Sequence, residues 1–281
     1  MIFVTGATGT VGRAAVDLLL EAGEKVTAVT RDPGRARLPE GARVVRGDPS
    51  APATLEEALD GARAMLLSPR AAGRGLRDLL ALAAGRGVER VVLLSAVTVV
   101  HPAGRPEFAA GFRAAEEAVA AAVPRWTFLR CADFAANTLS WAPQIRATGV
   151  VRGAYGDAAT SPIHERDIAA VAVHALTGQG HDGQAYVLTG PHSLTQRDKA
   201  RLIGEAIGRT VGYEEVPPEQ VRQAMLGQGL PEEIPDRLLG SLADYAERPG
   251  PATDAVPAVL GRPALTFAAW AAEHAGAFRR G

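Results

Sequence analysis

Apolar residues recur along this chain in two registers. Short runs rich in β-branched residues, at about 2–5, 25–30, 43–46, 64–68, 90–95, 126–130 and 184–188, read as the strands of a parallel sheet. Between them lie longer Ala- and Leu-rich stretches at about 11–22, 54–60, 74–86, 107–122, 133–147 and 165–176, which read as helices. Local signals support two boundaries. Thr54 followed by Glu57 has the form of a capping box, and Gly23 stands where the first helix should stop. Strand and helix in alternation predict an α/β fold, a doubly wound parallel sheet with helices on both faces.

From about Pro191 the texture changes. Prolines at 217, 218, 231, 235, 249, 251, 257 and 263 punctuate helical pieces such as 195–207 and 231–245, predicting a smaller, mostly helical C-terminal lobe. The glycine-rich segment 149–160 is expected to join that lobe beside a substrate cleft. The expected division is therefore 1–148, completed by about 161–190, against 149–160 with 191–281.

Composition narrows the partners. With 281 residues, 47% of them hydrophobic and 22% charged, the chain can bury a full core. A formal net charge of −1 gives no electrostatic footprint for nucleic acid or an anionic membrane, so a small-molecule substrate is the expected partner, with a homodimer left open. Cys131 is the only cysteine, which rules out an intramolecular disulfide and a multi-cysteine metal site; no metal is expected, and Cys131 reads as apolar filler. The N-terminus has no basic n-region followed by a long apolar run, and no 18 consecutive residues are apolar. A cytoplasmic location is the expectation.

The strongest chemical signal follows the first strand. Ile2-Phe3-Val4-Thr5 runs directly into Gly6-Ala7-Thr8-Gly9-Thr10-Val11-Gly12, which opens a helix whose apolar face continues through Val16, Leu19 and Leu20. In that position Gly6 permits a tight turn, Gly9 lets the backbone approach a pyrophosphate, and Gly12 allows close helix packing, while the helix N-terminus offers free N–H donors. The sequence thus predicts a Rossmann-type dinucleotide site built on Gly6, Thr8, Gly9, Thr10, Val11 and Gly12. The second strand ends Val29-Thr30-Arg31, with no carboxylate before Asp32 to hold a ribose 2′-hydroxyl. Arg31 suits a 2′-phosphate and Arg13 could add a second charge, which favours NADP(H) over NAD(H). Asp48 after the third strand is a candidate for the adenine end or a turn cap, and Ser68-Pro69 after the fourth lies beside the adenine ribose.

The chain resembles the NmrA-like atypical short-chain dehydrogenase/reductases, a group that includes quinone reductases, ergot-alkaloid-type imine reductases and non-catalytic redox sensors. The resemblance rests on Gly6 to Arg13, Val92-Leu93-Leu94-Ser95-Ala96, Glu116 followed by Thr127-Phe128-Leu129-Arg130 and Phe134 to Asn137, Pro162-Ile163 with Asp167-Ile168-Ala169, and Tyr186 to Pro191. It implies that Asn137 and the residues after Leu129, Phe134 among them, face the nicotinamide end, and that Asp167 is a structural carboxylate at a helix start.

Short-chain dehydrogenases usually donate a proton from a Tyr activated by a Lys four residues later. Here the residues four beyond Tyr155, Tyr186, Tyr213 and Tyr245 are Ala159, Gly190, Pro217 and Pro249. Counting back from Glu116, Phe108 and Phe112 occupy the positions of the missing pair, either as ordinary core or as the wall of an apolar substrate pocket. The catalytic candidates that remain are Ser95 at the end of the fifth strand, His101 in the loop beyond it and Asp133 after the sixth. All four tyrosines are expected to lie away from that region, so turnover is expected not to depend on a tyrosyl proton donor. The resulting expectation is an NADPH-dependent reductase of a small, apolar, pre-activated substrate: an imine, a quinone or a conjugated enone. The alternative is a non-catalytic NADP(H)-sensing regulator of the NmrA type, and a nucleotide-sugar epimerase or dehydratase is a weaker third.

Overall fold

In the computed structural model, which describes residues 1–279, seven parallel strands form one sheet. They are β1 (Ile2–Val4), β2 (Val26–Thr30), β3 (Arg43–Arg46), β4 (Ala64–Leu67), β5 (Arg90–Ala96), β6 (Arg125–Cys131) and, after two short strands β7 (Val150–Gly153) and β8 (Ala159–Thr160), β9 (Gln184–Leu188). The order is β3-β2-β1-β4-β5-β6-β9. All seven strands stand where the apolar runs put them. Strand order reverses between β1 and β4, so a crevice opens there beyond the strands' carboxyl ends, the usual ligand position in such sheets.

Helices cover both faces. α1 (Thr10–Glu21) lies on one, α2 (Pro69–Ala72) follows β4, and α3 (Leu76–Gly85) and α4 (Pro106–Ala122) cover the other. Then come α5 (Ala142–Thr148) and α6 (Glu165–Thr177), the latter packed beside α1. Side chains alternate along the buried strands: Ile2 and Val4 meet α1 and α6, while Phe3 joins Leu79 and Val119 on the opposite face.

The remaining elements are β10 (Leu194–Thr195), α7 (Gln196–Ile207), β11 (Gly212–Glu215), α8 (Pro218–Gly227), α9 (Glu233–Glu247), α10 (Ala255–Leu260), α11 (Phe267–Glu273) and α12 (Ala275–Phe278). β11 pairs with β7 and β10 with β8, so the segment at 149–160 is bonded to the chain beyond 191. Ile145, Val151, Ile203, Trp270 and Phe278 form a core there, separate from the two clusters on the sheet.

Two expected helices differ. The segment 54–60 makes only two 3-10 turns, Pro52–Leu55 and Glu57–Leu59. Thr54 caps nothing with Glu57: its hydroxyl accepts from the Asp48 N–H at 2.9 Å and donates to the Ala51 carbonyl at 2.8 Å. The segment 133–147 begins as a 3-10 stretch, Ala135–Trp141, and becomes α-helical only at Ala142, next to Pro143. Proline near a helix start loses no hydrogen bond, so Pro143 fixes that late start. Gly23 does end the first helix, in the left-handed region at φ +78°.

Candidate active site

Gly6 adopts φ +64°, and a Cβ on Gly12 would lie 2.1 Å from the Gly6 carbonyl oxygen, so α1 sits against the turn as closely as backbone allows. A Cβ on Gly9 would meet only that carbonyl, at 3.2 Å. The outer side of the turn is thus open. Gly9 is the N-cap of α1, with no side-chain cap and no acid in the first turn. The N–H groups of Thr10, Val11 and Gly12 have no partner inside a helix, and with no cap they are left for an anion. This cradle fits a dinucleotide pyrophosphate. Ser68 and Pro69 adjoin it: the Ser68 N–H donates to Thr5 Oγ1 at 2.8 Å, and Ser68 Cβ is 3.1 Å from where a Gly6 Cβ would be.

Arg31 is exposed at the end of β2 and has no ion-pair partner among the described residues, while Asp32 turns to Arg35 at 3.5 Å. Arg13 and Asp48 have local duties that sequence alone did not settle. The Arg13 guanidinium donates to the carbonyls of Arg37 and Thr8, fastening the 36–38 segment to the glycine turn. Asp48 accepts from the Ser50 N–H at 2.9 Å and the Ser50 hydroxyl at 2.8 Å. These bonds hold its carboxyl below the usual range and make it a turn cap.

At the ends of β5 and β6 the expected donors prove to be engaged. Ser95 is buried and gives its single proton to Glu116 at 2.6 Å, and Arg130 closes on the same carboxylate at 2.9 and 2.7 Å. Ser95 is therefore not available here to donate to a ligand. Asp133 accepts from Lys199 at 2.7 Å, Thr160 at 2.9 Å and Asn137 at 2.9 Å. Burial alone would raise its pKa, but the Lys199 charge and these hydrogen bonds hold it below the ordinary value. Asp133 is a fixed carboxylate and no acid at neutral pH. Its side chain keeps 24% of its surface exposed, whereas Lys199 keeps 1%.

The largest correction concerns the tyrosines. A cavity of about 380 Å³ between the loop after β5 and the end of α9 is lined by His101 and Tyr245, with Val100, Pro102, Asp244 and Arg248 among its other walls. Tyr245 thus lies beside the post-β5 loop, not away from it. Burial, and then the Asp133 and Asp244 carboxylates, push its phenol up. Of the others, Tyr186 meets His181 at 2.9 Å, Tyr213 donates to the Ala154 carbonyl at 2.9 Å, and Tyr155 sits on the tight turn before β8 at φ +55°. Nothing in local spacing marks Tyr245, because α9 arrives from the far end of the chain. The Gly104 N–H fixes that arrival by donating to Asp244 at 2.6 Å.

A second cavity, of about 330 Å³, is walled by Phe108 and Phe112, whose ring centroids are 5.0 Å apart. Phe134 and Asn137 do not line it. Phe134 bridges to Ile163, and Asn137 supports Asp133. Asp167 is structural, as the resemblance implied: fully buried, it accepts from the Leu265 N–H at 2.6 Å and pairs with Arg262 at 2.8 Å. Among the described residues no helix is long and apolar enough to cross a membrane, and no group of three or more His, Cys, Asp or Glu side chains could hold a metal.

An NAD(P)H-binding family model matches residues 6–179, from the glycine turn to the end of α6. The chain belongs to that family. It is 39% identical over 283 residues to a (4-alkanoyl-5-oxo-2,5-dihydrofuran-3-yl)methyl phosphate reductase of Streptomyces griseus, with 99% of each chain covered. It is 37% identical to an NAD(P)H azoreductase of Xenophilus azovorans, again over 99% of both. The NADPH-dependent quinone oxidoreductase of Escherichia coli complexed with NADPH superposes with a TM-score of 0.84 at 25% identity, covering 97% of this chain and 99% of that one. The chain is an NAD(P)H-dependent oxidoreductase without a Tyr-x-x-x-Lys pair, and the regulatory alternative gives way to that.

Proposed function

We propose that this oxidoreductase prefers NADPH and reduces a small, electron-poor acceptor, foremost a carbon–carbon double bond conjugated to a carbonyl, in the cleft between the sheet's carboxyl edge and α9. The observation that carries the reading is the cavity holding Tyr245. It is the one tyrosine beside the loop after β5, and the charge of Asp133, a carboxylate that Lys199 keeps ionised, reaches it.

Bound NADPH supplies two electrons as hydride to the acceptor. Tyr245 completes the reaction by giving its phenolic proton to the anion formed, an enolate in the case of an enone, and regains it from water. A phenol whose pKa is raised stays protonated at neutral pH, so the proton is in place on Tyr245 when the enolate forms. Asp133 and Asp244 disfavour lasting phenolate, which returns Tyr245 to its protonated state. Acceptors already polarised by conjugation need less help than a simple ketone. The relatives' names agree on that point: an azo bond, a quinone, and a ring alkene flanked by two carbonyls.

NADPH consumption measured over acyl butenolides, quinones, azo compounds, cyclic imines and simple ketones tests the proposal. Turnover of the conjugated acceptors with ketones inert supports it. Ketones reduced as fast as enones would defeat it.

A further inference from the structure

Arg70 on α2 and Arg237 on α9 meet at the cavity walled by Phe108 and Phe112. Their surroundings differ from those of neighbouring arginines. Arg105 shares the cavity and pairs with Glu107 at 3.5 Å and Asp236 at 3.4 Å, and Arg222 nearby pairs with Asp236 at 2.8 Å. Among the described residues Arg70 and Arg237 have no carboxylate partner; of the two acids on the cavity wall, Glu107 is taken by Arg105 and Glu233 is exposed. The chain has 30 basic against 31 acidic side chains, so an unmatched pair is not a by-product of surplus positive charge. Arg237 is also half-buried, its guanidinium carbon 4.5 Å from the centre of the Phe108 ring. Burial, and behind it the Arg70 charge, push its pKa down, as expected when two cations lie close without a counter-ion.

We propose that Arg70 and Arg237 form an oxyanion subsite that holds a phosphate monoester carried by the substrate, with Phe108 and Phe112 packing the apolar part next to it. That the occupant is a substrate rests on the reductase reading above. Two planar forks, on different elements, match a phosphate dianion with three terminal oxygens, whereas a carboxylate is saturated by one fork. Arg237 and Tyr245 lie eight positions apart on α9, about 12 Å along its axis, a span the two long side chains shorten toward the size of a small phosphorylated molecule. Phe108 and Phe112, read from the sequence either as core or as the wall of an apolar pocket, thereby become the apolar half of an amphipathic site. Arg70 also neighbours Ala71, whose Cβ lies 4.0 Å from where a Gly6 Cβ would be, so the cofactor's own phosphates are the second source of such an anion.

The test is calorimetric titration of the NADPH-saturated protein with phenyl phosphate and benzoate, in wild type, Arg70→Gln, Arg237→Gln and Arg237→Lys. Phenyl phosphate should bind and each Gln variant should weaken it about tenfold or more, with Lys partly restoring affinity, as for a lost charge-assisted contact. Affinity for NADPH itself should change less than about twofold, because its anchors are Arg31 and the α1 N-terminus. In turnover, a phosphorylated enone should surpass its free alcohol in wild type, and the preference should vanish in Arg237→Gln. Equal binding of benzoate, or a matching loss of NADPH affinity, overturns the assignment. Arginine-dependent binding of phenyl phosphate by a protein that reduces no acceptor would uphold the subsite and remove the reductase reading.

Discussion

Under the proposed preference for NADPH, Arg31 is the charge that would separate the two cofactors, since no acid occupies the end of β2 to hold a ribose hydroxyl. A charge-assisted contact to the 2′-phosphate contributes roughly 1.5–3 kcal/mol, so Arg31→Ala should weaken NADPH by about 10- to 150-fold and leave NADH unchanged. Titration showing equal loss for both would remove Arg31 from the site. Tyr245→Phe should lower kcat by about 100-fold with NADPH affinity intact, the scale usual for losing a general acid. Ser95→Ala makes the opposite pattern. Its hydroxyl serves the buried Glu116–Arg130 pair, so removal should cost about 1–3 kcal/mol of stability and little turnover. Denaturant melts alongside steady-state rates distinguish the two, and a Tyr245→Phe enzyme with wild-type turnover would refute its role.

The central strands were legible because a strand buried on both faces needs an unbroken apolar run, as in Val91-Val92-Leu93-Leu94 or Ile2-Phe3-Val4, whereas the edge strands β3 and β9 are partly exposed and carry short apolar pairs, Val44-Val45 and Val187-Leu188. The helix expected at 54–60 failed for a local reason, Pro52 and a hydroxyl that bonds backwards to Asp48. Of the site, the glycine turn was legible because it depends on residues in sequence. Lys199 with Asp133, Arg70 with Arg237, and Tyr245 with His101 were not, because tertiary packing alone joins them. The turn itself allows a paired prediction. Gly9→Val adds atoms on the open side, so the protein should fold and lose NADPH binding; Gly12→Val drives a Cβ into the Gly6 carbonyl and should destabilise the whole domain. Circular dichroism melts and cofactor titration check both, and tight NADPH binding by Gly9→Val would contradict the cradle.

At the scale of the whole molecule, a few polar contacts tie the C-terminal third to the sheet. Lys199 on α7 reaches Asp133 after β6, the Leu265 N–H reaches Asp167 on α6, and Trp270 donates to Glu165 at 3.3 Å. Lys199→Met would leave the Asp133 carboxylate without its counter-charge, a loss of about 3–5 kcal/mol for a buried pair broken on one side. The pH dependence has a definite sign. The folded pKa of Asp133 is lowered, so its stabilisation is fully present above the unfolded value near 3.9 and is lost as pH falls through the folded value. In Lys199→Met that contribution is absent, so the acid limb should be shallower than in wild type, the stability difference being largest at neutral pH and shrinking as pH falls; thermal melts across the acid range would reveal it. An unchanged limb would mean that Asp133 is not held by Lys199.

The proposed reaction is hydride transfer in the cleft beneath α9. The direct measurement is a single turnover with NADPH carrying deuterium on the transferred position of nicotinamide C4 and an acyl butenolide as acceptor, read by mass spectrometry. The account predicts one deuterium on the product carbon β to the carbonyls and a much slower turnover in Tyr245→Phe. NADPH bound tightly but never oxidised, or product formed without deuterium, would contradict it.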